Sequence, residues 1–489
     1  MKSNLLVLLC LINIGLVNSQ TKKKGLTIKE FSLNQAINIA KENSIDYMNA
    51  KNSAEVSYWN FESFEASFYP SLNLNGVLPN YQRSINRITA DDGSDIFISQ
   101  NQAFSSLSLN IQQNFPLTGG LISVSSSLNR IDLFSSKLTN YSSVPLSISY
   151  FQESIFYNPF KWRKQIEPLN FEESKRQLLE DLQKIGVQTV EIFFDHVLAE
   201  TKYNTAIANQ NEQSINYKIS KGRFEIGKLF ESDVLQAELS LLNADKEVVV
   251  SKNELTLTKQ AFLQYLGISK EIGLALIIPE EIVFTKIDST QLFNRALQNK
   301  KLIIAQKRKI LEAQQEVAKI KSDGIKIGVR GNFGLTQQDN SFSNVYVNPF
   351  VQQNFSLTVE APLFTWGRRK ADKKIAVANL DLVESQNQLE LTSAIRELKL
   401  RYIEWKQIEL SIKIQKKAAD IAIKRYNVTN RRFKIAKVSI TDLNIAQNEK
   451  DIAIYNYYEG LKDYWLLYYE LRKLALYDFV ENKNISLND

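Results

Sequence analysis

The sequence predicts an α+β fold in which long helical hairpins alternate with groups of short amphipathic strands. Three observations predict it: two very long stretches that contain almost no helix-breaking residues, alternating apolar and polar runs ahead of each, and a motif that occurs twice. The chain has 489 residues, with 60 Lys and Arg, 53 Asp and Glu, 1 His and 1 Cys. It therefore has little material for a metal site or for nucleophilic catalysis, and we predict no catalytic residues, no metal and no cofactor.

Residues 1–19 have the pattern of a signal peptide. Lys2 precedes an apolar run from Leu5 to Val17, and small residues follow up to Ser19, after which we expect cleavage. Cys10 lies inside this run, so the mature chain is predicted to have no thiol. Because no later run reaches about 20 apolar residues, any crossing of a membrane would have to use strands.

The charge pattern argues against a nucleic-acid partner. The formal net charge is only +7, and the basic residues alternate with acidic ones along the predicted helices. This pattern is typical of solvated helix surfaces rather than of a basic groove.

A twelve-residue motif divides the chain into two halves. The segment from Arg223 to Val234 corresponds without gaps to the segment from Arg432 to Leu443, at an offset of 432 − 223 = 209 residues. A period of this length indicates two similar half-chains rather than a solenoid of short repeats. We place the first structural repeat at 20–286 and the second at 287–489.

The predicted elements follow the same order in both repeats. The first comprises a helix from Leu33 to about Ser67, strands within about 69–155, a helical hairpin over 163–266 and an equatorial segment over 267–286. The second comprises a helix from Thr290 to about Lys321, strands within about 324–362, a helical hairpin over 368–475 and a C-terminal equatorial segment. The first strand region is much longer, which predicts an extra hairpin that could lie inside or outside the main sheet.

A tryptophan marks each junction between strands and long helix. Trp162 and Trp366 both lie beside Lys and Arg residues, a combination that suits the headgroup layer of a membrane. We predict that both are membrane-interface anchors. Ordinary packing at the junction is the alternative for the two tryptophans, and a soluble sandwich is the alternative for the strands.

These features together resemble the TolC-type outer-membrane efflux proteins of Gram-negative bacteria. The resemblance covers essentially the whole mature chain and is carried by the duplicated plan, by the Pro-Leu-Phe segment from Ala361 to Arg368, and by the hairpin containing Gly227 and Asp233. It implies a homotrimer in outer-membrane lipid, in which each copy gives four strands to a membrane β-barrel and its helices to a periplasmic tube. It also implies a passive duct for efflux or type I secretion, served by a periplasmic adaptor and an inner-membrane pump.

The resemblance assigns roles to the ends of the helical hairpins. Adaptor docking is expected at the two tips, and a pore constriction is expected just beyond them. The docking residues are Ile226, Gly227 and Leu229 at the first tip and Ile435, Ala436 and Val438 at the second. The constriction residues are Asp442, Asp233, Lys437 and Lys228.

Each of these assignments has a simpler alternative. In the simpler account, the returning helices are capped by Asp233 and Asp442 together with Ser232 and Thr441, and these residues have no further role. The lysines are then ordinary solvated surface charges. Ile445 occupies the position where the resemblance leads us to expect a second acidic residue. The pore would therefore have one ring of carboxylates, from Asp442, instead of two. For the whole chain, the alternative function is a periplasmic coiled-coil scaffold or adaptor without a membrane barrel.

Overall fold

A computed structural model describes residues 28–269, 272–279, 282 and 284–486. The predicted signal peptide lies outside the described residues, as does part of the segment over 267–286. The helices are α1 (Leu33–Asn43), α2 (Ile45–Ala66), α3 (Pro159–Glu225), α4 (Glu231–Tyr265), α5 (Ser289–Asn299), α6 (Lys301–Ser322), α7 (Arg368–Lys434) and α8 (Ile440–Ala475). The strands are β1 (Ile28–Ser32), β2 (Ser71–Thr89), β3 (Asp95–Phe115), β4 (Gly120–Leu133), β5 (Leu138–Gln152), β6 (Gly273–Ile277), β7 (Lys326–Asp339), β8 (Phe350–Glu360), β9 (Tyr477–Asp478) and β10 (Lys483–Asn484).

Two helical hairpins dominate the molecule. Helices α3 and α7 each have 67 residues, whereas the returning helices α4 and α8 have 35 and 36. At about 1.5 Å per residue, the long helices span about 100 Å and the returning helices about half of that. Along the other half of the long helices, α2 and α6 pack against α3. Helix α6 also packs against α7.

The short helices differ from the sequence prediction. A single helix was expected from Leu33 to Ser67, but Ser44 has an extended backbone and separates α1 from α2. Its hydroxyl accepts a hydrogen bond from the Tyr47 amide at 3.1 Å, so it caps the start of α2. Lys300 is likewise extended and separates α5 from α6 within the predicted second helix.

The main hydrophobic core lies at mid-height of the helical part. Buried side chains from α1, α3, α4, α5 and α8 meet there, including Phe193, Phe262, Leu292 and Leu461. Strands β1 and β6 pair in parallel beside this core. The core therefore holds the two hairpins at a fixed height relative to each other.

A six-stranded antiparallel sheet forms the other end of the molecule, in the order β2-β3-β4-β5-β7-β8. The resemblance implied four strands, and the difference is the extra hairpin, which is an integral part of the sheet. The turn between β3 and β4 is fixed to the start of α3: Asn158 Nδ2 donates to the Pro116 carbonyl at 2.8 Å. Gln152 Nε2 donates to the carbonyl of Thr118 at 2.7 Å. Four strands thus precede the first long hairpin and two precede the second.

Across the part of the chain that the structure describes, no helix is both long and apolar enough to span a membrane.

Candidate channel entrance and membrane sheet

The first hairpin tip ends α3 with a Schellman motif. The Gly227 amide donates to the Phe224 carbonyl at 2.8 Å, and the Lys228 amide donates to the Arg223 carbonyl at 2.8 Å. Gly227 has φ of +71°, a conformation that costs glycine little. The turn leaves Ile226 66% exposed at the end of the molecule, while Leu229 is half-buried.

The second tip has the same geometry with a less suitable residue. Ala436 occupies the left-handed position with φ of +60°, and the amides of Ala436 and Lys437 donate to the carbonyls of Phe433 and Arg432, both at 2.9 Å. This conformation costs alanine more than glycine, because alanine has a Cβ. Ile435 is 62% exposed and Val438 is half-buried.

The two aspartates lie in the first turns of the returning helices. The Asp442 carboxylate accepts from the Ser439 amide at 3.3 Å, and the Ser439 hydroxyl accepts from the Asp442 amide at 3.1 Å, which forms a capping box. Asp233 accepts from the Phe230 amide at 3.4 Å. The N-cap residues are therefore Phe230 and Ser439, not Ser232 and Thr441. The Asp442 side chain is still exposed beside the second tip.

The predicted constriction lysines are exposed at the tips. Within the described residues, neither Lys228 nor Lys437 forms an ion pair. Both tips thus present a cation next to exposed apolar side chains.

Arg223 joins the two hairpins, a role that sequence reasoning missed. Its guanidinium Nη2 donates to the carbonyls of Phe433 and Lys434, each at 3.0 Å, and its Cζ lies 5.3 Å from the centroid of the Phe433 ring. These carbonyls are at the C-terminus of α7, where a positive charge is stabilised by the helix dipole. The one available signal was the repeated motif, in which Arg223 corresponds to Arg432.

The six-stranded sheet has one polar face and one apolar face. Residues directly opposite on paired strands share a face, so a hydrogen-bonded row identifies each surface. One row is entirely polar: Ser71, Gln112, Ser123, Ser149, Asn332 and Asn354. The adjacent row, on the other face, is apolar except at its last member: Leu72, Ile111, Val124, Ile148, Phe333 and Gln353.

Helix α7 has a buried apolar stripe and an exposed one. The buried stripe repeats every seven residues and consists of Leu398, Trp405, Ile412, Ala419, Tyr426 and Phe433. The exposed stripe consists of Ile403, Leu410, Ile414, Ile421, Val428 and Ile435. Helix α4, at the opposite margin of the helical layer, exposes Leu235, Leu242 and Val249 at the same seven-residue spacing. Two margins of one chain therefore each present an unpaired coiled-coil face.

The two predicted anchors lie at the junction between sheet and helices. Trp162 is half-buried in the first turn of α3. Trp366 is 92% exposed just before α7, and its ring lies 5.2 Å from that of Phe364, which is itself 79% exposed.

Comparison with known proteins shows a partial family match and a shared fold. Residues 291–453 match the family model of outer membrane efflux proteins. The structure is similar to that of the outer membrane channel CmeC of Campylobacter jejuni, with 16% identity, a TM-score of 0.65, and 93% of this chain and 90% of that chain covered. It is also similar to the outer membrane protein VceC of Vibrio cholerae (14% identity, TM-score 0.62, coverage 91% and 95%) and to CusC (12%, 0.63, 91% and 91%).

The fold is that of outer-membrane channels over nearly the whole chain. The family match covers residues 291–453, about a third of the chain, and the structural similarity extends over 91–93% of it. No curated protein sequence matches it.

Proposed function

We propose that the chain is the outer-membrane duct of a tripartite efflux or type I secretion system. It acts as a passive homotrimer that carries small molecules or proteins from the periplasm across the outer membrane. The observation that carries this proposal is the six-stranded sheet at the end of a layer of very long helices. One face of the sheet is polar and the other is apolar, and neither of its edge strands has a further strand partner within the described residues.

The sheet supports insertion into lipid in a closed assembly. Its apolar face suits the hydrocarbon of a bilayer, and its polar face of Ser, Asn and Gln suits a water-filled lumen. The outer edges of β2 and β8 lack strand partners within the described residues. Unpaired backbone groups in lipid cost several kcal/mol each, so these edges must meet strands of another copy.

The helices support the same assembly. The exposed stripe on α7 of one copy is suited to pack against the exposed stripe on α4 of the next, as knobs into holes. We take the number of copies, three, from the family resemblance. In this arrangement Trp162 and Trp366 anchor the sheet at the periplasmic headgroup layer, with outer-membrane lipid around it.

The hairpin tips provide the entrance and the docking surface. Ile226, Gly227 and Leu229, with Ile435, Ala436 and Val438, present a small apolar surface to a periplasmic adaptor, which connects the duct to an inner-membrane pump. Around a threefold axis, Asp442 forms a carboxylate ring, and Asp233, Lys228 and Lys437 lie close to it. A ring of carboxylates favours cations, so the entrance is expected to be cation-selective.

Planar-bilayer conductance of the purified protein tests this function. We expect discrete channels that prefer cations, and Asp442→Ala is expected to reduce the preference. Ser439→Ala is the matched control, because it removes the cap hydroxyl and leaves the carboxylate.

The outcomes separate the parts of the proposal. If the purified protein forms no channel and is released from membranes by carbonate without detergent, the periplasmic scaffold is the better account. If ion preference is unchanged in Asp442→Ala, only the role of Asp442 fails.

A further inference from the structure

The number of strands in the sheet determines the width of the duct. We propose that the copies join β8 to β2 of the next copy and close an 18-stranded barrel, three copies of six strands. The inference rests on the trimeric duct proposed above and concerns the strands that form its wall.

The sheet is continuous across all six strands. All six strands contribute to the polar row from Ser71 to Asn354 and to the apolar row from Leu72 to Gln353. A hairpin lying outside the wall would not need to continue both faces. The hydrogen bonds of Asn158 and Gln152 to the turn between β3 and β4 also hold the extra hairpin on the helical end of the sheet, at the level of its neighbours.

The stagger of the strands fixes their tilt. The row that begins at Ser71, the first residue of β2, reaches Asn354, which is 360 − 354 = 6 residues before the end of β8. Four residues lie between α2 and β2, and seven lie between β8 and α7, so we take the helical ends of β2 and β8 to lie at a similar level. Six residues at about 3.3 Å displace the row along the strands, and five strand spacings of about 4.8 Å separate its ends across the sheet. The ratio of these two lengths corresponds to a strand tilt of about 40° from the barrel axis. Closed barrels have tilts of about 35–45°.

The sheet and the helical layer of each copy have similar widths. Six strands tilted by about 40° occupy about 38 Å of circumference. Below them, each copy contributes four helices across the layer, and four helices at about 8–10 Å occupy about 32–40 Å. Four strands at the same tilt would occupy only about 25 Å and would leave the barrel narrower than the tube. Six strands per copy therefore match the wall of the helical tube.

The consequence is a wide, polar outer half of the duct. Eighteen strands at this tilt give a backbone diameter of about 36 Å, in the size class of barrels that enclose an aqueous channel. The lumen-facing row consists of Ser, Gln and Asn side chains, which carry no charge. Cargo would be restricted at the hairpin tips and would meet a broad hydrated passage in the membrane.

Disulfide cross-linking identifies which strand meets β8 of the neighbouring copy. Cys10 is in the predicted signal peptide, so introduced cysteines are expected to be the only thiols of the mature protein. Leu74→Cys on β2 is combined in turn with Leu357→Cys and Val359→Cys on β8, all on the apolar face. The matched control replaces Leu74→Cys by Val124→Cys on β4, which would be the free edge if β2 and β3 lay outside the wall and the other four strands formed it.

We expect oxidation to give covalent trimers with Leu74→Cys and none with Val124→Cys, as seen on denaturing gels with and without reductant. Trimers from the Val124→Cys pairs, alone or together with the others, would overturn the 18-stranded barrel and leave the trimeric duct standing. Absence of cross-links from all pairs, in protein that forms channels, would show that the sheet edges do not join the copies. It would overturn both the barrel and the proposed mode of assembly.

Discussion

The single histidine offers a quantitative test of the packing at the middle of the hairpins. His196 is 3% exposed on α3, its Nδ1 lies 3.0 Å from the hydroxyl of Thr258 on α4, and its ring stacks on Phe262. Burial, with a smaller effect of the Lys259 charge, lowers the pKa of His196 from 6.5 to about 4. The folded protein thus holds the imidazole neutral.

The sign of the pH effect follows from this lowered pKa. Between pH 6.5 and about 4, the unfolded chain binds a proton at this histidine that the folded chain does not. The free energy of unfolding is therefore at its full value above pH 6.5 and decreases as the pH falls below it. At pH 5 the loss is about 2 kcal/mol per copy, and well below pH 4 it reaches about 3 kcal/mol.

The titration can be measured directly. Because His196 is the only histidine, carbon-13 labelling of histidine gives one resonance whose pH dependence reports this pKa. Denaturant midpoints from pH 7.5 to 5 should decrease, and in His196→Gln the part due to this group should disappear. Lys259→Gln is the matched variant and should move the pKa part of the way upward. A resonance that titrates near 6.5 would refute the buried, neutral imidazole and the hairpin packing around it.

Two further predictions concern the hairpin tips. Ala436→Gly should stabilise the protein by about 1 kcal/mol because it removes an alanine from a left-handed backbone conformation, whereas Gly227→Ala should destabilise it by a similar amount. Thermal unfolding midpoints of the two variants check this prediction. A shift of the same sign and size in both variants would contradict the Schellman motif at the tips. Arg223→Ala should cost about 1–2 kcal/mol and accelerate amide hydrogen exchange at the second tip, because it removes charge-assisted bonds to α7. Exposed Arg432, its counterpart in the repeat, is the control, and equal effects of Arg432→Ala would argue against a specific link through Arg223.

The long helices could be predicted from the sequence because their signal is local. Arg368 to Ile435 has no Gly or Pro, and the structure has one helix over Arg368–Lys434. Alternation likewise marks the strands. The breaks at Ser44 and Lys300 were missed because both residues lie inside stretches of continuous helical periodicity. Ser44 could have been identified as a cap, whereas Lys300 has no side-chain cap bond and no comparable signal.

The non-local features could not be predicted in the same way. Whether the extra hairpin joins the sheet depends on pairing between segments far apart in sequence and on the bond of Asn158 to a distant turn. The link through Arg223 depends on carbonyls more than 200 residues away. The motif showed that Arg223 and Arg432 are equivalent in sequence, but only the packing of α3 against the end of α7 distinguishes their contacts.

Electron cryomicroscopy of the purified protein in lipid nanodiscs can show whether the copies close into one continuous wall. We expect three copies arranged around one axis, with β8 of each copy paired to β2 of the next and the helices continuing the wall as a hollow tube. A particle in which the sheet of a single copy closes around a dry interior, with the helical hairpins pointing apart, would contradict it.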